Sequence, residues 1–189
     1  MSSKLVLTPT EIPEVIEVDS PRFGDQRGYF MELYNETAAK KLGFNHSFMQ
    51  DNVSKSAKGI LRGLHYQIEP HAQGKLVHVL EGRAWDVAVD IRRGSPTYGK
   101  WVARELSGDN GMALWVPPGF AHGFLALEDN TLLLYKCTTP YAPAAERAIH
   151  YACPKLAIEW PVTPDTVSDK DREAPTLLEA EHNFQFHAA

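Results

Sequence analysis

Short runs of alternating apolar and polar residues dominate this chain, and helical periodicity is scarce. WDVAVDIR sets Trp85, Val87, Val89 and Ile91 on one face of a strand and Asp86, Ala88, Asp90 and Arg92 on the other. LLLYKCT is less clean, but Leu133, Tyr135 and Cys137 share a face. Runs of this kind, bounded by Gly, Pro, Asn and Asp, predict strands at 15–18, 28–34, 46–53, 59–67, 74–80, 83–92, 100–106, 111–116, 121–126 and 132–138. LEGRAW suggests a hairpin at Glu81 and Gly82, and SPTYG a tight turn over 95–99. Two short helices stand out. One covers 36–42, with Asn35 as N-cap and Gly43 as stop; the other lies near 168–174, where Ser168 caps and Asp171 takes the capping-box position. Many short strands at roughly ten-residue spacing make the chain all-β: a sandwich, a jelly roll or a closed barrel.

LRGLHYQ (61–67) breaks the alternation. A regular strand would point Arg62 and His65 to opposite faces, and Gly63 between them predicts a bulge that turns both the same way. From Pro140 onward the pattern loosens into a Pro-rich stretch expected to wrap the barrel or close over its mouth. The tail, 176–189, is expected on the surface or disordered. With no internal repeat and no linker, residues 1–189 read as one domain.

Composition narrows the classes. The 189 residues, 43% hydrophobic and 23% charged, are enough to bury a core without a disulfide or metal staple. A net charge of −5 gives nucleic acid and membrane surfaces no general attraction. No run approaches the roughly 20 apolar residues of a membrane span. MSSKLVLTPTEIPEVIEV lacks the continuous apolar stretch of a signal peptide. Cys137 and Cys153 form neither ligand spacing nor a disulfide framework, so the expectation is two buried thiols in a reducing, cytoplasmic setting.

Candidate chemistry lies in polar residues set into otherwise apolar strands. These are Arg62 and His65, Lys75 in QGKLVHVL, Asp86 in WDVAVDI, and Tyr135 with Lys136. His122 in WVPPGFAHGF and Asp171 in SDKDREAP stand at strand–turn junctions. Singly, each has an ordinary structural reading: a hydrogen-bonded histidine, a snorkelling lysine, a capping aspartate. Together in a barrel lumen they are expensive unless something polar binds there. Two chemistries compete for them. A metal site is disfavoured because GLHYQIEPHAQGKLVHVLEG has no H-x-H pair, its histidines 65, 71 and 78 are irregularly spaced, and Lys75 sits among them. No metal or cofactor is therefore expected. Proton transfer suits the set better, with a histidine base whose ordinary pKa is about 6.5 and a protonated tyrosine as donor. An ammonium to meet a developing oxyanion and a carboxylate to orient the imidazole complete the parts. His65, Tyr135, Lys75 and Asp171 supply these four groups.

FGDQRGYFMELYN, QDNVSKSAKGILRGLHYQ, QGKLVHVLEGRAWDVAVDIRRGSPTYGKW, LWVPPGFAHGFLAL, LYKCTTPYAP and SDKDREAP together resemble, in order and spacing, the dTDP-4-dehydrorhamnose 3,5-epimerase family. The resemblance covers about 12–175. It implies a cupin-type jelly roll (a double-stranded β-helix) with a few short peripheral helices, free of metal and forming a homodimer. It also implies action on dTDP-4-dehydro-6-deoxy-D-glucose to give dTDP-4-dehydro-L-rhamnose, a step in polysaccharide precursor synthesis. By motif position His65 is the base, Asp171 its carboxylate partner, Tyr135 the opposing acid, and Lys75 the stabiliser of the enolate oxygen. Arg62 contacts the diphosphate, His122 completes the sugar and phosphate pocket, and Asp86 holds Lys75 or His122. The nucleotide site draws on Phe23, Arg27, Phe30, Glu32, Gln50 and Asn52, some offered by a partner subunit, with Tyr141 and Lys170 as further contacts.

One departure from the family pattern is His78, where the family often has Arg; it is expected to alter the pocket rim. Three alternatives stay open on sequence alone: an epimerase acting at C3 or C5 only, a metal-dependent cupin enzyme, and a non-catalytic nucleotide-sugar binding module. Tyr135 in LYK favours the double epimerase.

Overall fold

A computed structural model describes residues 5–188; the first part of the segment read for a leader, and the last residue of the tail, lie outside the described residues. The chain opens with β1 (Val6–Pro9) and β2 (Ile16–Asp19), then a two-stranded ribbon of β3 (Arg22–Asp25) and β4 (Gly28–Met31). Helix α1 (Glu36–Lys41) leads to β5 (Gln50–Ser56), β6 (Ile60–Gln67), β7 (Lys75–Glu81) and β8 (Arg83–Asp90). There follow β9 (Trp101–Ser107), β10 (Met112–Val116), β11 (Phe120–Ala126) and β12 (Thr131–Cys137). The C-terminal part adds β13 (Glu146–Ala148), β14 (Thr166–Val167) and one helical turn, α2 (Asp169–Arg172).

Ten of these strands and two short ones build a jelly roll of two facing sheets. The first sheet runs β1-β2-β10-β7-β12-β5, the second β13-β6-β11-β8-β9, and β14 adds in parallel to β6. From β5 to β8 the chain alternates between the sheets, which corrects the reading of 81–82 as a hairpin. Gly82, at φ +73°, turns a corner from β7 in one sheet to β8 in the other. A Cβ there would meet Thr131 Oγ1 at 2.7 Å, so glycine serves both the turn and the packing. The tight turn over 95–99 does join an antiparallel pair, β8 and β9.

Three layers of apolar packing follow from the alternation. Between the sheets lie Val77, Val79, Leu114, Val116 and Leu133 from the first, and Ala84, Ala88, Val102, Leu106, Phe120 and Phe124 from the second. The outer face of the second sheet (Leu64, Tyr66, Val87, Val89, Ile91) is covered by Ile149, Leu156, Leu177, Ala180 and Phe184. Both faces of that sheet are thus buried, and every residue of β11 is buried with them. Through Leu177, Ala180 and Phe184 the described part of the tail is therefore packed into the fold and is not surface decoration. Its apolar residues cover a sheet face that would otherwise meet water. The outer face of the first sheet carries Leu76, Ala113 and Trp115 under Ala39, Phe44 and Phe48.

Element ends differ from the pattern where side chains cluster instead of pairing. Strands expected to reach Tyr34 and to start at His46 stop at Met31 and begin at Gln50. The residues between fold into an aromatic group, in which His46 stacks on Trp115 at 4.2 Å and Tyr34 donates its hydroxyl to the His46 carbonyl. Helix α1 is capped by Asn35, whose side chain accepts from Ala38 N.

Candidate active site

The polar residues of the lumen are placed by the register of neighbouring strands. His65 on β6 lies directly across from His122 on β11, and Lys75 on β7 across from Cys137 on β12. Tyr135 stands two positions from Cys137 on the same face, packed against the central core. Gly63 resolves the question posed by LRGLHYQ. Its φ of +129° favours glycine, and a Cβ would lie 2.4 Å from Gly123 Cα on β11. The β6–β11 register shifts beside it, between His122 and Phe124. As a result Arg62 and His65 line one cleft of about 190 Å³ with Ser54, Lys75, His122 and Tyr135. Arg62 reaches it from the rim, held by a bond from Nε to Ser56 Oγ at 3.1 Å. A second cleft, of about 300 Å³, shares His65, Lys75 and Tyr135 and extends past Gln50 and Asn52 to Tyr141 and Glu146.

Asp171 arrives from outside the sheets. Ser168 caps α2 by accepting from Asp171 N, as its sequence predicts. The Asp171 carboxylate does not close a capping box; it turns to β6 instead. Oδ1 lies 2.6 Å from His65 Nε2, and Oδ2 accepts from Gly63 N at 3.3 Å. A carboxylate only accepts, so Nε2 carries the proton and Nδ1 is the nitrogen left with its lone pair. Burial pushes the Asp171 carboxyl up, but hydrogen bonds from His65, Gly63 and Ser168 outweigh it and hold the group below its ordinary range. Deep in the site, His122 Nε2 meets Asp86 Oδ2 at 2.8 Å. Asp86 therefore holds His122, while its Oδ1 is buried without a hydrogen-bond partner.

Lys75 and Tyr135 are tuned by burial. Desolvation lowers the Lys75 ammonium, opposed by the neighbouring acidic groups of Cys137, Asp86 and Glu146; among the described residues its one hydrogen bond, at 3.5 Å, goes to the His65 carbonyl. Desolvation raises the Tyr135 phenol, which keeps it protonated at neutral pH.

At the mouth, the side chains form one chain of contacts. Gln50 Nε2 donates to Asn52 Oδ1, Tyr141 N donates to Gln50 Oε1, and Tyr141 donates its hydroxyl to Glu146, each at 2.8 Å. Lys170 pairs with Glu146 from the other side. Glu146 is the residue the sequence reading missed. PYAPAAERAI shows no alternation, and only the three-residue strand β13, pairing Ala148 with His65, brings Glu146 to the site.

Other expected residues do not join the lumen of their own chain. Phe23, Arg27 and Phe30 lie on the β3–β4 ribbon around a separate hollow of about 360 Å³, with Phe23 48% and Phe30 67% exposed. Glu32, just beyond β4, is exposed as well. His78 is not at the pocket rim. Three residues after inward-facing Lys75, it points to the outer face of β7, only 2% exposed, in a groove beneath the ribbon. Lys136 also faces outward, paired with Asp51 at 2.8 Å. Among the described residues no three His, Cys, Asp or Glu side chains gather as a metal-ligand set.

Comparison with known proteins agrees over nearly the whole chain. The family model described as dTDP-4-dehydrorhamnose 3,5-epimerase matches residues 9–179. The dTDP-4-dehydrorhamnose 3,5-epimerase of Shigella flexneri is 48% identical over 174 residues, covering 92% of this chain and 96% of that one. The enzyme of the same name from Pseudomonas aeruginosa is 48% identical over 176 residues, covering 92% and 97%. Among solved structures, a dTDP-6-deoxy-D-glucose-3,5-epimerase from Legionella pneumophila, in complex with dTDP-4-keto-L-rhamnose, superimposes with a TM-score of 0.93 at 44% identity. It covers 97% of this chain and all of that one. The family model spans nine-tenths of the chain and these relatives are 44–48% identical over almost all of it, so the chain belongs to the dTDP-4-dehydrorhamnose 3,5-epimerase family.

Proposed function

We propose that this enzyme inverts C3 and C5 of dTDP-4-dehydro-6-deoxy-D-glucose, giving dTDP-4-dehydro-L-rhamnose, by proton transfer through enolate intermediates. The observation that carries this reading is the 2.6 Å His65–Asp171 pair, opening on a cleft that Tyr135 and Lys75 also line. The substrate's C4 ketone acidifies the protons on the flanking carbons, so one site serves both. His65 Nδ1 takes the proton from one carbon, and Asp171 stabilises the imidazolium that forms. The C–H electron pair moves to the C4 oxygen, where the Lys75 ammonium meets the negative charge in a cleft screened from bulk water. Tyr135 returns a proton to the opposite face of that carbon as the enolate collapses to the ketone. Proton exchange with solvent then resets His65 and Tyr135.

Arg62 and Lys170 suit the diphosphate, Arg62 by its bidentate guanidinium. His122, held by Asp86, completes the sugar pocket, and Gln50, Asn52 and Tyr141 line the approach for the nucleotide. Phe23, Arg27, Phe30 and Glu32 are too far out on the ribbon to serve their own lumen, which supports a homodimer in which each ribbon serves the other copy. The enzyme is read as one domain acting in the cytoplasm; among the described residues no helix is long and apolar enough to cross a membrane. Sedimentation at micromolar concentration should give a dimer, and a monomer there would remove the shared-site reading.

The test of the reaction is incubation of the 4-keto sugar nucleotide with the metal-free enzyme in deuterated water, followed by NMR. Deuterium at both C3 and C5 is the expected result. None at either position would reduce the protein to a binding module, and deuterium at one alone would make it a single-position epimerase.

A further inference from the structure

Asp171 belongs to a C-terminal segment that accompanies β6 from one end to the other. Thr166 and Val167 pair in parallel with Ile60 and Leu61. Asp171 then binds Gly63 N and His65 Nε2. Ten residues on, the Glu181 carbonyl accepts from the Tyr66 hydroxyl at 2.8 Å. Asn183 finally takes both main-chain groups of Glu69, accepting from its N at 3.0 Å and donating to its O at 3.1 Å. The contacts advance in the same direction along both stretches of chain, so the carboxylate and the imidazole it orients sit on two adjacent rails. Leu177, Ala180 and Phe184 fasten the outer rail to the core beside Leu64 and Tyr66, and Arg147 pairs with Glu181 at 2.7 Å.

Side chains alternate along a strand, so a twist of β6 about its axis that displaces Tyr66 to one side displaces His65 to the other. We propose that residues 176–184 are a brace for the catalytic pair, in which Tyr66 and Asn183 are positioning residues that fix the direction of His65 relative to Asp171. This rests on the proposed reaction, because the brace matters only if His65 is the base. Asn183 lines neither cleft, and Tyr66, though it borders the larger one, packs its ring on the outer face and sends its hydroxyl to Glu181. Reacting groups tolerate little misplacement, and a lost anchor on the far side of the strand reaches the chemistry through the peptide planes it shares with His65.

The test uses Tyr66→Phe, which removes one hydroxyl and leaves the ring packed, and Asn183→Ala at an exposed position. Each should lower kcat about 3- to 10-fold with KM changed less than about 2-fold. Asn183→Asp, which still accepts from Glu69 N, should recover part of the loss. In proton NMR at low temperature, the signal of the hydrogen shared by His65 and Asp171 should shift or broaden in both variants. A purely structural strap would lower Tm but leave kcat per folded molecule and that signal unchanged, and this result overturns the proposal. If the parent enzyme fails to exchange C3 and C5 protons, the proposed reaction falls instead, while the NMR signal still decides whether the brace holds the pair.

Discussion

Two aspartates on one strand set the proposed working site of this fold against a structural one. Asp86 and Asp90 lie four residues apart on the same face of β8, and both are completely buried. At Asp90 every oxygen is occupied: Oδ1 accepts from Arg92 N and Nε, and Oδ2 from Arg92 Nη2, Ser95 Oγ and Thr97 Oγ1. Arg92 is itself tied to Glu14 and lies over the rings of Phe120 and Phe186. Nothing is left over for a ligand. At Asp86 one oxygen holds His122 while the other has no hydrogen-bond partner, and the nearby Lys75 makes a single long bond. Burial is equal at the two ends; what differs is whether the hydrogen bonds close. Unclosed polar groups are costly, and a fold keeps them where a substrate completes them.

The largest expected effect tests the open end. His65→Ala should reduce deuterium exchange at C3 and C5 by about 10³-fold or more, and Asp171→Asn by a similar order, with Tm nearly unchanged. Normal turnover in His65→Ala would take the base away from this end of the lumen. The closed end should answer in the other currency. Asp90→Ala leaves the largely buried Arg92 guanidinium with Glu14 alone and strips the partner from Ser95 and Thr97, and should destabilise the enzyme by about 3 kcal/mol in urea titration, with exchange per folded molecule preserved. Lost activity at full stability would erase the distinction between the two ends.

His78 asks whether an unclosed polar atom is enough by itself to mark a site. Its Nε2 has no partner, yet it lies on the outer face of the sheet. Burial, helped by the charge of Lys136, pushes the imidazole down to about 4 from an ordinary 6.5. Between those values the unfolded chain binds a proton that the folded chain refuses, so stability is full above about pH 6.5 and falls as pH falls. The loss attributable to His78 should reach about 2 kcal/mol by pH 5. His78→Leu should remove that part of the slope while sparing exchange at pH 7. A loss of exchange at pH 7 would extend the working site beyond the lumen.

The sequence made the open end more legible than the closed one. Clean alternation in WDVAVDIR placed Asp86 inside, and the cap signature Ser168–Asp171 located the helix turn that delivers the carboxylate. Gly63 announced the irregularity that lets Arg62 and His65 share a cleft. Non-local contributions were hidden. Glu146 sits in a strand too short for any periodicity, and its place depends on pairing with β6 across some eighty residues of chain. The tail resembles a polar terminus locally, and its buried Leu177, Ala180 and Phe184 acquire meaning only from the sheet face they cover. The corner at Gly82 looked like a hairpin because turn chemistry fixes a change of direction, not the sheet that receives the next strand.

The smallest predicted effect is the sharpest on the comparison itself. Asp86→Asn keeps an oxygen that can accept from His122 Nε2, so the geometry of that bond survives and only the charge is lost. The Asp86 carboxylate is one of the acidic groups that oppose the desolvation of Lys75. Without it the ammonium gives up its proton at lower pH, and the enolate oxygen loses its stabiliser earlier on the alkaline side. Exchange at pH 8 should fall about 10-fold, the alkaline limb of the rate profile should move to lower pH, and stability should change by less than about 1 kcal/mol. The same substitution at Asp90 offers the control, since Asn there cannot satisfy all five donors and should cost stability without moving the limb. If Asp86→Asn instead destabilises the protein as much as the Asp90 variant and leaves the limb of the folded enzyme in place, the two aspartates are equivalent structural groups, and the missing hydrogen bond at Oδ1 carries no information about function.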